Sequence, residues 1–192
     1  MLVNPKSANH NVQSAMLAAL RPLTRFSPAV GSALVVAAGG AATILGAWFF
    51  QYVLHYLPCP LCFEQRKPYY VAIPLALVVA LAAARSAPRR LVIGGLSLLA
   101  LVMVVSAGLG VYHAGIEWQF WAGPADCTGP NTSFGSAADM LKRISTEVVV
   151  QCDKAAWRFL GISLAGYNAL ISVALAAVAA WGAMATARGQ TS

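Results

Sequence analysis

The sequence predicts an all-α membrane protein, a four-transmembrane-helix bundle with a short amphipathic helix in its second outer loop. Three observations carry that reading. Of 192 residues, 59% are hydrophobic and only 10% charged, against an apolar share of about 45–50% in soluble domains. The apolar residues fall into long uncharged runs, and a helix needs roughly 20 such residues to cross the hydrocarbon core. The charged residues are divided unequally between the two sides that four crossings define.

The spans are expected at about 29–54, 68–84, 91–112 and 159–187. The second is the shortest and carries Pro74, which membrane helices tolerate because neighbouring groups re-satisfy the freed carbonyl. Residues 1–28 precede the first span as a polar N-terminal segment, 29–187 form the membrane domain, and 188–192 are a tail. A cleavable signal peptide is the competing reading of the first run. That run exceeds the 7–15 apolar residues of such a segment, and too many residues precede it.

Charge sets the orientation. The N-terminal segment, the 85–90 loop and the tail hold Lys6, Arg21, Arg25, Arg85, Arg89, Arg90 and Arg188 with no acid. The excess of bases in these segments makes that side cytoplasmic, with both termini inside. The outer loops carry six bases and six acids. The net charge of +7 is therefore a topology signal. Nucleic acid is excluded as a partner, because a basic groove needs its bases clustered on one exposed face.

All four cysteines fall on the outer side, Cys59 and Cys62 in the short first loop, Cys127 and Cys152 in the long second one. An even count in an oxidising compartment favours disulfides. The second loop opens with Trp118, Phe120 and Trp121, rings suited to the headgroup region. Gly123-Pro124 and Gly129-Pro130 then punctuate it. Between its cysteines, Ser136 is a candidate cap, and Met140, Leu141, Ile144 and Val148 recur at helical spacing, giving the amphipathic helix. That helix lies on the membrane surface or packs on top of the bundle; one stripe supports both.

Chemistry concentrates in "LPCPLCFEQRK", residues 57–67. A C-x-x-C is by itself a weak motif, shared by redox dithiols, zinc sites and inert bridges. Its thiolate is often stabilised well below the ordinary thiol value of about 8.5. Arg66 lies four residues past Cys62, so one helical turn brings its guanidinium against the sulfur. The plainer reading is that Arg66 and Lys67 reach for headgroups, and Pro68 forbids a regular helical bond back to Glu64.

A Cys127–Cys152 bridge encloses 24 residues and as a staple contributes about 3 kcal/mol. A four-cysteine zinc site is disfavoured, because the second pair lacks the short spacing of zinc ribbons. No metal is expected. His55 and His113 lie at the outer boundary, where a lone histidine is more often an anchor than a catalyst. Trp48, Phe49, Phe50, Tyr52 and Tyr56 are most simply an aromatic belt, and the same rings can flank a lipid-soluble aromatic cofactor.

The four spans, "CPLCFEQR" in the first outer loop, the paired cysteines of the second, "YHAGIEW" and "CDKAAWRFLGISLAGYNALIS" together resemble the bacterial disulfide bond formation protein B (DsbB) family. The resemblance implies an inner-membrane enzyme that reoxidises a periplasmic thioredoxin-fold, DsbA-like dithiol oxidase and passes the electrons to the quinone pool, as ubiquinone or menaquinone. That pairing of partners belongs to the family and is not read from spacing.

Carried over by position, the Cys127–Cys152 disulfide meets the partner's thiolate, at Cys127, and electrons pass on to Cys59–Cys62. Cys62 hands them to a bound quinone whose negative charge Arg66 stabilises, with His113 lining the site. DsbA-type partners sit near about −120 mV and structural disulfides below about −300 mV, an uphill transfer of roughly 8 kcal/mol. Inert bridges therefore cannot do this work. Two other readings compete. A vitamin K epoxide reductase-like protein has its C-x-x-C at a later span, and a non-enzymatic subunit with stapled loops would hold a fixed oxidised state and no quinone.

Overall fold

In a computed structural model of the chain, residues 27–124, 148–149 and 151–189 are described. The order is helix α1 (Pro28–Trp48) running into a π-helical turn (Phe49–Val53), strand β1 (Tyr56–Leu57), α2 (Pro60–Ala84), α3 (Arg89–Glu117), β2 (Val148–Val149), β3 (Arg158–Phe159), β4 (Ile162–Ser163) and α4 (Leu164–Ala187). All four helices are long and apolar enough to cross a membrane.

Local chemistry sets the helix starts. Ser27 caps α1, its hydroxyl accepting from Val30 N at 3.3 Å, with Pro28 at the first helical position, where its missing N–H costs nothing. Ser163 caps α4 in the same way through Gly166 N. α2 repeats the pattern with sulfur: Cys59 is the cap, its Sγ accepts from Cys62 N at 3.2 Å, and Pro60 follows.

The helices form a ring in which α1 packs on α2, α2 on α3, α3 on α4 and α4 on α1, leaving α1/α3 and α2/α4 as the diagonals. Without a hydrophobic driving force in lipid, small residues must let the backbones approach. Ala33, Ala76 and Ala179 are fully buried in the core with Leu96, Leu99 and Met103. At Gly110 of α3 a Cβ would lie 2.8 Å from Ala169 N of α4, so this crossing admits only glycine. The outward faces carry Leu45, Val78 and Leu101, all exposed, as lipid requires.

Two boundaries differ from the sequence expectation in a way that matters. α2 begins at Pro60 rather than near 68 and runs unbroken through Pro68 and Pro74, so the C-x-x-C lies on its first turn. α3 continues past 112 to Glu117. In both cases the polar residues lie on the end of a helix instead of in a loop. The expected amphipathic helix falls almost wholly outside the described residues. Its last position, Val148, is in strand β2 and not in a helix.

β2 pairs in parallel with β1, Tyr56 opposite Val148 and Leu57 opposite Val149. This ties the second outer loop to the first, two residues before Cys59 and three before Cys152. β3 and β4 form a hairpin through Leu160 and Gly161, both at positive φ, with Leu160 projecting as an exposed apolar tip.

Candidate functional site

The end of the bundle at which α2 and α4 begin brings four of the sequence-predicted residues together. Cys59 and Cys152 are both fully buried and pack as one small cluster with Leu61 and Cys62. The Cys59 sulfur, the Cys152 sulfur and a His113 ring nitrogen lie within 4.8 Å of one another. Three such donors are close enough to share a metal, but Cys152 is disulfide-bonded and has no thiolate to offer one. Cys59 and Cys62 are free thiols. Cys127 lies outside the described residues.

Cys59 is held as a thiolate. Its pKa is lowered to about 5, first by the Cys62 side chain hydrogen-bonding to it, then by His113, against the opposing cost of burial. Its place at the start of α2 adds the Cys62 backbone N–H and the positive end of the helix dipole.

His113 is not an interfacial anchor. It is buried, its Nε2 is 3.8 Å from the Cys59 sulfur, and its Nδ1 is 2.5 Å from Gln65 Nε2. The orientation of Gln65 is fixed from the other side, because Asn168 Nδ2 donates to Gln65 Oε1 at 2.7 Å. The amide of Gln65 therefore donates to Nδ1, and the ring proton sits on Nε2, facing the sulfur. Tyr69 in turn donates to Asn168 Oδ1 at 2.8 Å and lies 2.8 Å from the Ser172 hydroxyl, itself 2.9 Å from Ser106. A hydrogen-bonded chain thus runs from the thiolate into the middle of the bundle, across the α2/α4 diagonal.

The sequence points to Gln65 only as the residue before Arg66 in the motif that resembles the DsbB family, and not to Tyr69, Asn168, Ser172 or Ser106. The signal was there: each is a neutral polar residue inside or beside an apolar run, and polar groups in a membrane interior are costly unless partnered.

Arg66 is buried and takes a different partner from the one its spacing suggests. Its Nη1 donates to Gln51 Oε1 at 2.5 Å, and its guanidinium lies 5.3 Å from the centre of the Phe63 ring. Gln51 comes from the π-helical turn, whose wider winding presents that side chain to α2. Lys67 pairs with Glu64 on the exposed surface, a contact worth little.

A cavity of about 540 Å³ opens beside these groups, within the usual range for small-molecule sites of roughly 300–1,000 Å³. Its walls are mostly apolar, from Ala42, Ile44, Ala47 and Ile171, with Cys62, Gln65, Arg66, His113, Asn168 and Glu117 among its polar groups. Phe50 and Tyr56 of the expected aromatic belt line it, stacked edge to face at 6.2 Å. Trp48, Phe49 and Tyr52 point outward, and His55 is exposed at the loop.

The family model described as disulfide bond formation protein DsbB matches residues 30–182. An uncharacterised protein of Rickettsia prowazekii is 29% identical over 131 residues, 67% of this chain and 73% of that protein. A disulfide bond formation protein B of Marinobacter nauticus is 29% identical over 151 residues, covering 73% of this chain and 81% of its own length. Another, of a Polaromonas strain, is 31% identical over 135 residues, 68% and 76% of the two chains. No solved structure matches. With four membrane-spanning helices, a thiolate cluster at one end and a family match over most of its length, the chain belongs to the DsbB family of disulfide bond formation membrane proteins.

Proposed function

We propose that this disulfide-forming oxidoreductase takes electrons from a periplasmic DsbA-like dithiol protein through Cys127–Cys152, relays them by exchange between Cys152 and Cys59, and delivers them from Cys62 to a membrane quinone. The observation that carries this is the proximity of the Cys59 and Cys152 sulfurs, within 4.8 Å, on the wall side of a cavity that Cys62 lines.

The exchange balances without any other reactant. A partner dithiol attacks Cys127, leaves as a disulfide, and releases two thiols on the loop. The Cys152 thiolate attacks the Cys59 sulfur of an oxidised Cys59–Cys62 pair, the bond to Cys62 breaks and Cys62 departs as the thiolate; Cys127 then attacks Cys152, restoring the loop disulfide and releasing Cys59, so that both cysteines of the C-x-x-C are reduced. Sulfurs already within 4.8 Å need only a small movement to reach the bonding distance of about 2.05 Å. Cys59 serves well as the group that gives and takes this bond, because its low pKa makes it a good leaving group in the reverse direction.

The cavity suits a quinone: it has flat aromatic neighbours in Phe50 and Tyr56, a cation in Arg66, and one buried oxygen, Glu117 Oε2, with no hydrogen-bond partner. Cys62, Arg66 and His113 are the residues that would hold it. When bound, the quinone supplies the two-electron sink. Arg66, kept in place by Gln51, would supply a positive charge to stabilise the negative charge that develops on the acceptor. Burial of the cluster keeps water and stray thiols from the thiolate. The proposed location is the bacterial inner membrane, cysteine loops in the periplasm and both termini in the cytoplasm, on the charge asymmetry of the loops.

The test is quinone reduction by the purified protein, with ubiquinone and menaquinone analogues in turn and a reduced thioredoxin-fold protein as donor. Turnover is expected in the wild type, none in Cys62→Ser and slower turnover in Arg66→Ala. No reduction of either quinone, with the donor nonetheless oxidised once per protein, would leave exchange without a quinone acceptor and overturn the reading.

A further inference from the structure

We propose that Glu117 is a catalytic residue of this site, the group that delivers a proton to the carbonyl oxygen of the acceptor in the cavity. The assignment rests on the quinone reading above and adds a residue to it.

Among the described residues, Glu117 Oε2 is the buried side-chain polar atom that lacks a hydrogen-bond partner. Several other polar side chains of the cavity already have partners: Arg66 has Gln51, Gln65 has His113 and Asn168, Tyr69 has Asn168 and Ser172, Thr43 has the Gly39 carbonyl and Tyr167 the Phe159 carbonyl. A buried carboxyl oxygen left alone is expensive. A carbonyl oxygen entering the cavity is the partner it lacks, accepting from the protonated carboxyl.

Position supports the same role. Glu117 follows His113 by four residues on α3, so both side chains project from one face of the helix towards the cavity that both line. Glu117 is also the last residue of that helix, next to the exposed rings of Trp118, Phe120 and Trp121 that mark the outer interface. Ser163 and Arg158, from the hairpin on the outer side, are the neighbours on its other flank. Glu117 is thus half-buried between the cavity and the exposed Arg158, with buried Ser163 beside it.

The chemistry needs such a group. Two thiols and a quinone become a disulfide and a quinol, so two electrons and two protons change hands. The electrons leave through sulfur, but Cys59 is already a thiolate and has no proton to give. Glu117 gives its carboxyl proton to one acceptor oxygen and regains one from the outer face, and the second proton is the one the Cys62 thiol loses as it bonds to Cys59. The protons taken up equal those released when the partner dithiol is oxidised, so the account closes.

Glu117→Gln keeps the shape and the hydrogen-bond donor but cannot release a proton, and Glu117→Asp keeps the acid on a shorter arm. Three readouts separate the outcomes. Quinone reduction should fall about 10²-fold in Glu117→Gln, the usual scale of a general acid, and less in Glu117→Asp. Oxidation of the reduced donor by the loop disulfide, measured in a single turnover without quinone, should be unchanged in both, which also establishes that they fold. In infrared difference spectra, quinone binding to the resting wild-type protein should shift a protonated carboxyl band that is absent from Glu117→Gln. A wild-type rate in Glu117→Gln, or a carboxyl band that persists there, overturns the assignment and leaves quinone reduction standing. Failure of the wild type to reduce any quinone overturns both.

Discussion

Removing the neighbours of Cys59 one at a time should return its thiol stepwise to ordinary behaviour. With its pKa at about 5, thiolate exceeds thiol by about a hundredfold at neutral pH. The Cys62 side chain is the largest cause and the His113 ring comes after it. A hydrogen bond to a charged group is worth about 1.5–3 kcal/mol, and 1.36 kcal/mol corresponds to one pH unit. Cys62→Ala should therefore raise the titration midpoint by about two pH units, and His113→Ala by about one. The assay is the ultraviolet absorbance of the thiolate, followed against pH in the reduced protein carrying Cys127→Ser and Cys152→Ser, so that only the C-x-x-C titrates. The step in the acid range must vanish in Cys59→Ser. If it survives there, the low thiol is Cys62 and the reasoning about the capped sulfur is wrong.

Three other outcomes follow from the same geometry. Because the folded pKa of Cys59 lies below its unfolded value of 9.0, the unfolded chain binds the extra proton between those values. The reduced protein should therefore gain thermal stability as pH rises from about 5 towards 9, with a flatter profile in Cys59→Ala. Asn168→Leu strands Gln65 Oε1 and leaves the Tyr69 hydroxyl with Ser172 alone, costing about 1–3 kcal/mol by thermal melts. Nitrogen NMR should then show the His113 ring released from its single tautomer. Gly110→Ala places a methyl 2.8 Å from Ala169 N, and forcing α3 and α4 apart should cost about 1–3 kcal/mol in unfolding measurements in detergent.

The four crossings were legible because a membrane helix announces itself by length and apolarity, and both survive a reading with no tertiary information. The start of α2 was not. "CFEQRKP" reads as loop on its charges and on Pro68, yet Glu64 and Lys67 sit on the exposed face of a helix while Arg66 turns inward. The overlooked signal was Cys59-Pro60 itself, a capping residue followed by the proline that favours the first helical position. The cysteines were legible as chemistry, and their likeness to the DsbB family placed them in an order.

What joins them in space was not legible. Pairing of Tyr56 and Leu57 with Val148 and Val149 spans some ninety residues between two short strands with no pattern of their own, and it sets Cys152 against Cys59. His113 was weighed as an anchor because a single histidine carries no hint of a partner. Its partner Gln65 is fixed by Asn168 from another helix, and only packing reveals such a chain.

The central claim is that Cys152 and Cys59 are the sulfurs that exchange. Cys62→Ala isolates that step, since Cys59 then has no neighbour in its own loop to bond. The Cys59 thiolate should attack the loop disulfide at Cys152, forming Cys59–Cys152 and freeing Cys127 as a thiol. Alkylation of the non-reduced protein followed by peptide mass mapping should find the Cys59–Cys152 linkage with the label on Cys127. A linkage of Cys59 to Cys127, or an intact Cys127–Cys152 disulfide with label on Cys59, would contradict the relay.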